Sequence, residues 1–246
     1  MPSFSSAVLA TGLAAAVAGA ASASFSATYL GAGVGRFQKV SYNSTLSWNQ
    51  SGSDPFYYVR AYDHHWQEDT GAQYTSWCIQ LYQGIVVGDT YSFECVAPEN
   101  APQAPPEPGP MGTIKANLMR DLFARWGDVA SGSVQPGANP SDTEAKAAAF
   151  ALLIWEISHE NFTGLDASAF KSEMSLATGA FRADATTDVS NWASVMLSSL
   201  GTGGWMTSDL QGLISDTAQD QIRLVPAPGV LALLGVAGIV GRRRRA

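Results

Sequence analysis

Ser141-Asp142-Thr143-Glu144-Ala145-Lys146-Ala147-Ala148-Ala149-Phe150-Ala151-Leu152-Leu153-Ile154-Trp155-Glu156-Ile157-Ser158-His159 is the stretch on which the fold turns. It opens on a capping-box pattern, Ser141 with Glu144 three residues on, and its middle is apolar on every side. A helix with no polar face belongs inside a core, so something must cover it all round. Upstream, Ile114, Leu118, Leu122 and Trp126 recur every four residues, predicting a second helix with one apolar stripe and with Lys115, Arg120 and Arg125 off that stripe. Downstream, Val189, Trp192 and Met196 predict a third over 188–200.

The segment before these helices has a different period. In Arg36–Tyr42, Phe56–Tyr62, Tyr74–Tyr82 and Thr90–Val96, aromatic and β-branched residues alternate with polar ones between turn-rich stretches, the pattern of half-buried antiparallel strands. Between the two regions, Ala97–Pro110 holds six prolines and no apolar period, which reads as an extended connector or long functional loop. The fold class expected is α+β: a mostly antiparallel sheet or sandwich packed with a few helices.

Both ends are uncharged until the last residues. Residues 1–23 contain no charged side chain and finish in Ala21-Ser22-Ala23, a small-x-small pattern that reads as a secretory signal peptide cut after Ala23. At the other end Val225-Pro226-Ala227-Pro228-Gly229 precedes twelve uncharged residues, 230–241, and then Arg242, Arg243, Arg244 and Arg245. As a helix the twelve would span about 18 Å against a hydrocarbon core of about 30 Å, a marginal anchor by itself. The arginines would hold the tail on the cytoplasmic side of the inner membrane.

Charge divides the same way. Of 14 Lys and Arg, four are the terminal arginines. The remaining 10 face 21 Asp and Glu, so the body carries −11. Such a body lacks the basic stripes that nucleic acid requires, which excludes that partner.

The order Pro-Ala-Pro-Gly, short apolar helix and terminal Arg cluster resembles the PEP-CTERM sorting signal of Gram-negative bacteria, with Pro-Ala-Pro where the namesake has Pro-Glu-Pro. The resemblance implies processing by an exosortase-type membrane transpeptidase, transient inner-membrane anchoring, and delivery to the cell surface or an extracellular matrix. It also implies an association with extracellular polysaccharide. The organisation expected is a signal peptide over 1–23, an ectodomain over 24–224 and a sorting signal over 225–246.

Within the body, Trp77-Cys78-Ile79-Gln80-Leu81-Tyr82-Gln83, Gly109-Pro110-Met111-Gly112 and Ala148–Ile157 are similar to an ectodomain of PEP-CTERM proteins that in turn looks like the thioester domains of bacterial adhesins. There a strand Cys and a helix Gln form an internal thioester. Cys78 matches the cysteine; Ala151 stands where the pattern has Gln, and alanine offers no carbonyl to acylate the thiol. The expectation is therefore a thioester-like fold without the bond, with a non-catalytic binding or structural role and no cofactor. The alternative is a covalent adhesin or cysteine-dependent enzyme using Cys78.

Two further readings concern the remaining reactive side chains. Cys78 and Cys95 lie on expected strands flanking Gly84–Asp89; a turn centred between Val86 and Val87 would set them opposite each other, and in an exported chain such a pair is a candidate disulfide. The bridge would be worth about 3 kcal/mol. His64 and His65 beside Asp63 include suitable metal ligands, but adjacent strand residues point to opposite faces. His159, closing the central helix, is expected to favour the helix dipole, and Glu156 to lie at the helix border.

Overall fold

The computed structural model describes residues 24–103, 109–130 and 140–225. The expected signal peptide, with Ala21 and Ala23, and the tail from Pro226 through Gly229 to Arg245 lie outside these residues. Among the described residues no helix is long and apolar enough to cross a membrane.

Among the described residues seven strands form one antiparallel sheet: β1 (Ser24–Tyr42), β2 (Tyr57–Glu68), β3 (Gln73–Cys78), β4 (Thr90–Val96), β5 (Phe181–Asp184), β6 (Leu210–Ile214) and β7 (Gln221–Leu224). Their order is β2-β3-β7-β6-β4-β1-β5, and β2 also pairs with β1. That extra pairing closes six strands into a ring, with β5 attached along Lys39–Tyr42 at the end of β1. Closure abolishes the open edges a flat sheet would leave. The long β1 makes it possible: Ser24–Thr28 pairs with β4, and Ala27–Val40 with β2. It slips register between Tyr29 and Gly31 and again between Ala32 and Gly35, where glycines let the strand bend.

Four α-helices among the described residues, α1 (Gly112–Ala130), α2 (Pro140–His159), α3 (Ala167–Glu173) and α4 (Thr187–Ser199), complete the α+β architecture. The helix α2 is the central one expected. It is buried from Ala147 to Ile157 and packs against α1, α4 and strands β1 to β3. Residues of α1, α2 and α4 and one face of the sheet make the main core, with Trp77 edge-on to Phe150 at 4.8 Å. A second, smaller core of Ala27, Tyr29, Trp66, Phe93, Leu213 and Ala218 gathers on the other sheet face.

Five local expectations change. The helix α2 already includes Pro140, so Ser141 lies within it; proline is at home in a first turn, where its missing N–H costs nothing. Lys115 is buried despite its place off the α1 stripe. The strand expected over Tyr74–Tyr82 ends at Cys78. No hairpin joins it to β4; instead Gly88 N–H donates to the Tyr29 carbonyl and Tyr29 N–H to that of Asp89, fastening the loop to β1. The proline-rich segment begins with a 3-10 turn at Pro98–Asn100 and doubles back, with Pro102 bridging Pro110 and Met111 N–H reaching the Ala101 carbonyl at 2.7 Å.

Candidate functional site

Cys78 ends β3 and pairs in register with Gln221 of β7. Gln221 pairs with Leu213 of β6, and Leu213 with Cys95 of β4. The two cysteines thus occupy one row, three strand spacings apart, which is about 14 Å. A disulfide needs Cα atoms within about 7 Å, and both thiols are free. The Cys78–Cys95 bridge is corrected on this ground: two strands from the end of the chain insert between cysteines that are near in sequence.

The Cys78 thiol is buried and donates to the Gln80 carbonyl. Beside its sulfur lies the indole of Trp155, whose Nε1 has no oxygen or nitrogen acceptor. Burial pushes the thiol pKa well up, the opposite of what a nucleophilic cysteine requires. Ala151, one turn before Trp155 on α2, shares the same core and is buried. The two positions singled out by the thioester resemblance therefore belong to one packed region, but the partner side chain is a methyl group.

Around the end of β3 runs a chain of amides and hydroxyls that the alternation pattern did not reveal. Trp66 Nε1 donates to Ser76 Oγ at 2.8 Å, and Ser76 Oγ donates to Gln221 Oε1 at 2.9 Å. Gln221 Nε2 donates to the Gln219 carbonyl, Gln219 Nε2 to the Gln80 carbonyl, and Gln80 Nε2 to Asp220 Oδ2 at 2.8 Å. Its outer end opens on a cavity of about 440 Å³ lined by Gln80, Tyr82, Gln83, Gln103, Ser215 and Asp220. Burial raises the Asp220 pKa, opposed by donation from Ser215 N–H.

Behind this cavity sits a buried ionic cluster. Lys115 from α1 donates to Gln103 Oε1 at 2.8 Å and to the carbonyls of Ser158 and Glu160 at 3.3 and 2.9 Å. It neutralises the carbonyl end of α2, the role expected of His159. Burial, and then the nearby lysine, hold the His159 pKa down to about 3. The ring is neutral, with Nδ1 3.1 Å from the Trp155 carbonyl and Tyr42, Tyr82 and Phe181 around it. Glu156 is fully buried and not at a border; it accepts from Ser175 N–H at 2.8 Å, and burial raises its pKa well above the carboxylate range. Glu160 accepts from the N–H groups of Asn161, Ala180 and Phe181.

His64 and His65 diverge as strand geometry demands. His64 is buried with Nδ1 3.0 Å from the Tyr29 hydroxyl, whereas His65 is exposed and 3.3 Å from Asp63. No group of three metal-ligating side chains is found among the described residues. Neither His64, His159 nor Asp63 hydrogen-bonds to Cys78, so the parts of a cysteine-protease triad do not converge.

Compared with protein-family models, curated proteins and solved structures, the chain gives no match.

Proposed function

We propose that the chain is an exported surface or extracellular-matrix protein with a non-catalytic binding or structural role, sorted by an exosortase-type transpeptidase acting at Val225–Gly229. The observation that carries this reading is the order of the tail: Val225-Pro226-Ala227-Pro228-Gly229, an uncharged stretch, then Arg242–Arg245. The boundaries of the sheet support it. Its first strand starts at Ser24, its last ends at Leu224, and Val225 N–H makes a final backbone bond to Asp209. Each of the seven strands thus lies before Pro226.

A non-catalytic role agrees with a buried, high-pKa thiol and with histidines and carboxylates consumed in structural bonds. Likeness to thioester domains is supported by Cys78, Trp77, Phe150, Ala151 and Trp155 meeting in one core. The covalent alternative would need an acyl donor that Ala151 does not provide.

The experiment is deletion of Gly229–Ala246 followed by cell fractionation. Loss of processing and of surface retention is expected. Unchanged retention would overturn the sorting assignment.

A further inference from the structure

The cavity of about 440 Å³ at the outer end of the amide chain has a wall whose hydrogen-bonding capacity is only partly used. Lys115 can only donate, so it holds Gln103 by its side-chain oxygen and leaves the Gln103 NH2 over. Gln83 and Asp220 each accept from Gln80 Nε2 at 2.8 Å, which leaves the Gln80 side-chain oxygen over. Neither leftover group has a further protein partner among the described residues, and neither is a buried orphan. A donor and an acceptor therefore stand side by side at the wall. Gln83 adds a second NH2, with one proton left after its bond to the Asp216 carbonyl at 3.2 Å.

Tyr82 supplies the aromatic side of the cavity. Its ring stacks on the buried His159 at 6.2 Å and 24°, meets Tyr42 edge-on at 5.7 Å, and is still 49% exposed, which leaves its outer face bare. Charge then narrows the occupant. Asp216 and Asp220 both line the cavity, and the three protons of the Lys115 ammonium behind it are already given to Gln103 and to the carbonyls of Ser158 and Glu160. An anion would meet repulsion and no free counter-charge. A metal ion would lack a third ligating side chain, since no group of three His, Cys, Asp or Glu exists among the described residues, and both Asp220 oxygens already accept, from Ser215 N–H and from Gln80. A peptide would find no strand margin to pair with, because β3, β6 and β7 are each paired on both sides.

We propose that this cavity binds a neutral sugar residue, with one ring face against Tyr82 and its hydroxyls exchanging hydrogen bonds with Gln80, Gln83 and Gln103. A hydroxyl both donates and accepts, so it suits a wall that offers carboxamide NH2 groups beside a carboxamide oxygen. The C–H face of a sugar ring suits the open face of an aromatic one. The volume lies within the range of small-ligand sites. Two of the three amides are set before a ligand arrives: Lys115 and Asp220, both buried, hold Gln103 and Gln80, so little side-chain freedom is lost on binding. A body of −11 repels polyanions but not an uncharged sugar. The proposal names a ligand class for the non-catalytic binding role and rests on that reading.

The test is saturation-transfer difference NMR of the full-length protein with glucose, galactose, mannose and N-acetylglucosamine, and with galacturonate as the anionic control. At least one neutral sugar should show transfer to its ring protons with a Kd of about 0.1 to 10 mM, and galacturonate should bind about tenfold more weakly or not at all. Gln83→Ala and Tyr82→Ala should each weaken binding about tenfold or more, while Tyr82→Phe, which keeps the ring, should retain it. An unchanged melting temperature for Gln83→Ala would show that its loss of binding is local. No transfer to any of the four sugars, galacturonate binding as tightly as the best of them, or full binding by the Gln83→Ala/Tyr82→Ala double variant would each overturn the proposal. Cell fractionation separates it from the sorting assignment: wild-type protein that is sorted but binds none of the sugars sinks the sugar site alone, and protein that binds sugar but is not sorted sinks the sorting reading alone. Turnover of the methyl glycoside of the bound sugar would leave the site standing and sink the non-catalytic role.

Discussion

Lys115 on α1 sets its ammonium 2.9 Å from the carbonyl oxygen of Glu160, one residue past the end of α2. A cation from one helix thereby closes the hydrogen-bond account of another, and burial lowers its pKa to about 8. Lys115→Met keeps the bulk and removes the donors, leaving two carbonyls and Gln103 without their partner. It should cost about 2 to 4 kcal/mol, read as a lowered urea midpoint with little change in slope.

Acid should destabilise the protein through its neutral histidines. Burial holds His64 down to about 4 and His159 to about 3, against 6.5 when unfolded. Between pH 6.5 and about 4 the unfolded chain binds the protons, so stability falls as pH falls. Each histidine contributes a slope of about 1.4 kcal/mol per pH unit there. His64→Gln should remove one such slope, and urea titrations at several pH values would measure it; equal slopes in variant and wild type would contradict burial of a neutral ring.

Neither cysteine should be crosslinked. Intact mass of the non-reduced protein is expected to lack both the two-hydrogen deficit of a disulfide and the one-ammonia deficit of a thioester. Cys78 should resist alkylation until the protein unfolds, as its burial dictates.

Gly179→Ala should be severely destabilising. Gly179 has φ +101, and an added Cβ would fall 1.9 Å from Glu160 Oε2. Strain and displacement of a buried carboxylate combine to roughly 2 kcal/mol or more, measurable as a depressed melting temperature.

Asp121→Asn should loosen the segment after α4. The buried carboxylate accepts from Arg125 Nε and from the N–H groups of Gly201 and Met206. Its loss should raise hydrogen exchange over residues 201–206 while leaving α2 protected.

The long periodic elements were legible in the sequence. An all-round apolar block made α2 the buried helix, and alternation located the last third of β1, the first half of β2, most of β3 and all of β4. The strands β6 and β7 were not legible, because four- and five-residue strands carry too little alternation to stand out. Missing them made the Cys78–Cys95 hairpin plausible. Lys115 and Glu156 were assigned to polar positions and Glu160 was passed over for another reason: a charged residue inside a core is recognisable only once its partners, which come from other helices and loops, are known. The exposed Phe37 and Tyr58 on β1 and β2 were half legible, as alternating aromatics whose outward face the pattern could not assign.

The ring is completed by the last strands to be made. Until residues 210–224 arrive, β3 and β4 each hold an unpaired side, and the β6–β7 hairpin fills the gap between them. On the proposed export route, a chain threaded N-terminus first through a membrane pore would keep two sticky margins open for most of its passage, and would close only when residues 210–224 emerged. Completion of folding would then coincide with presentation of Val225 and the residues after it, so that a processing enzyme waiting on that segment would meet a body already sealed.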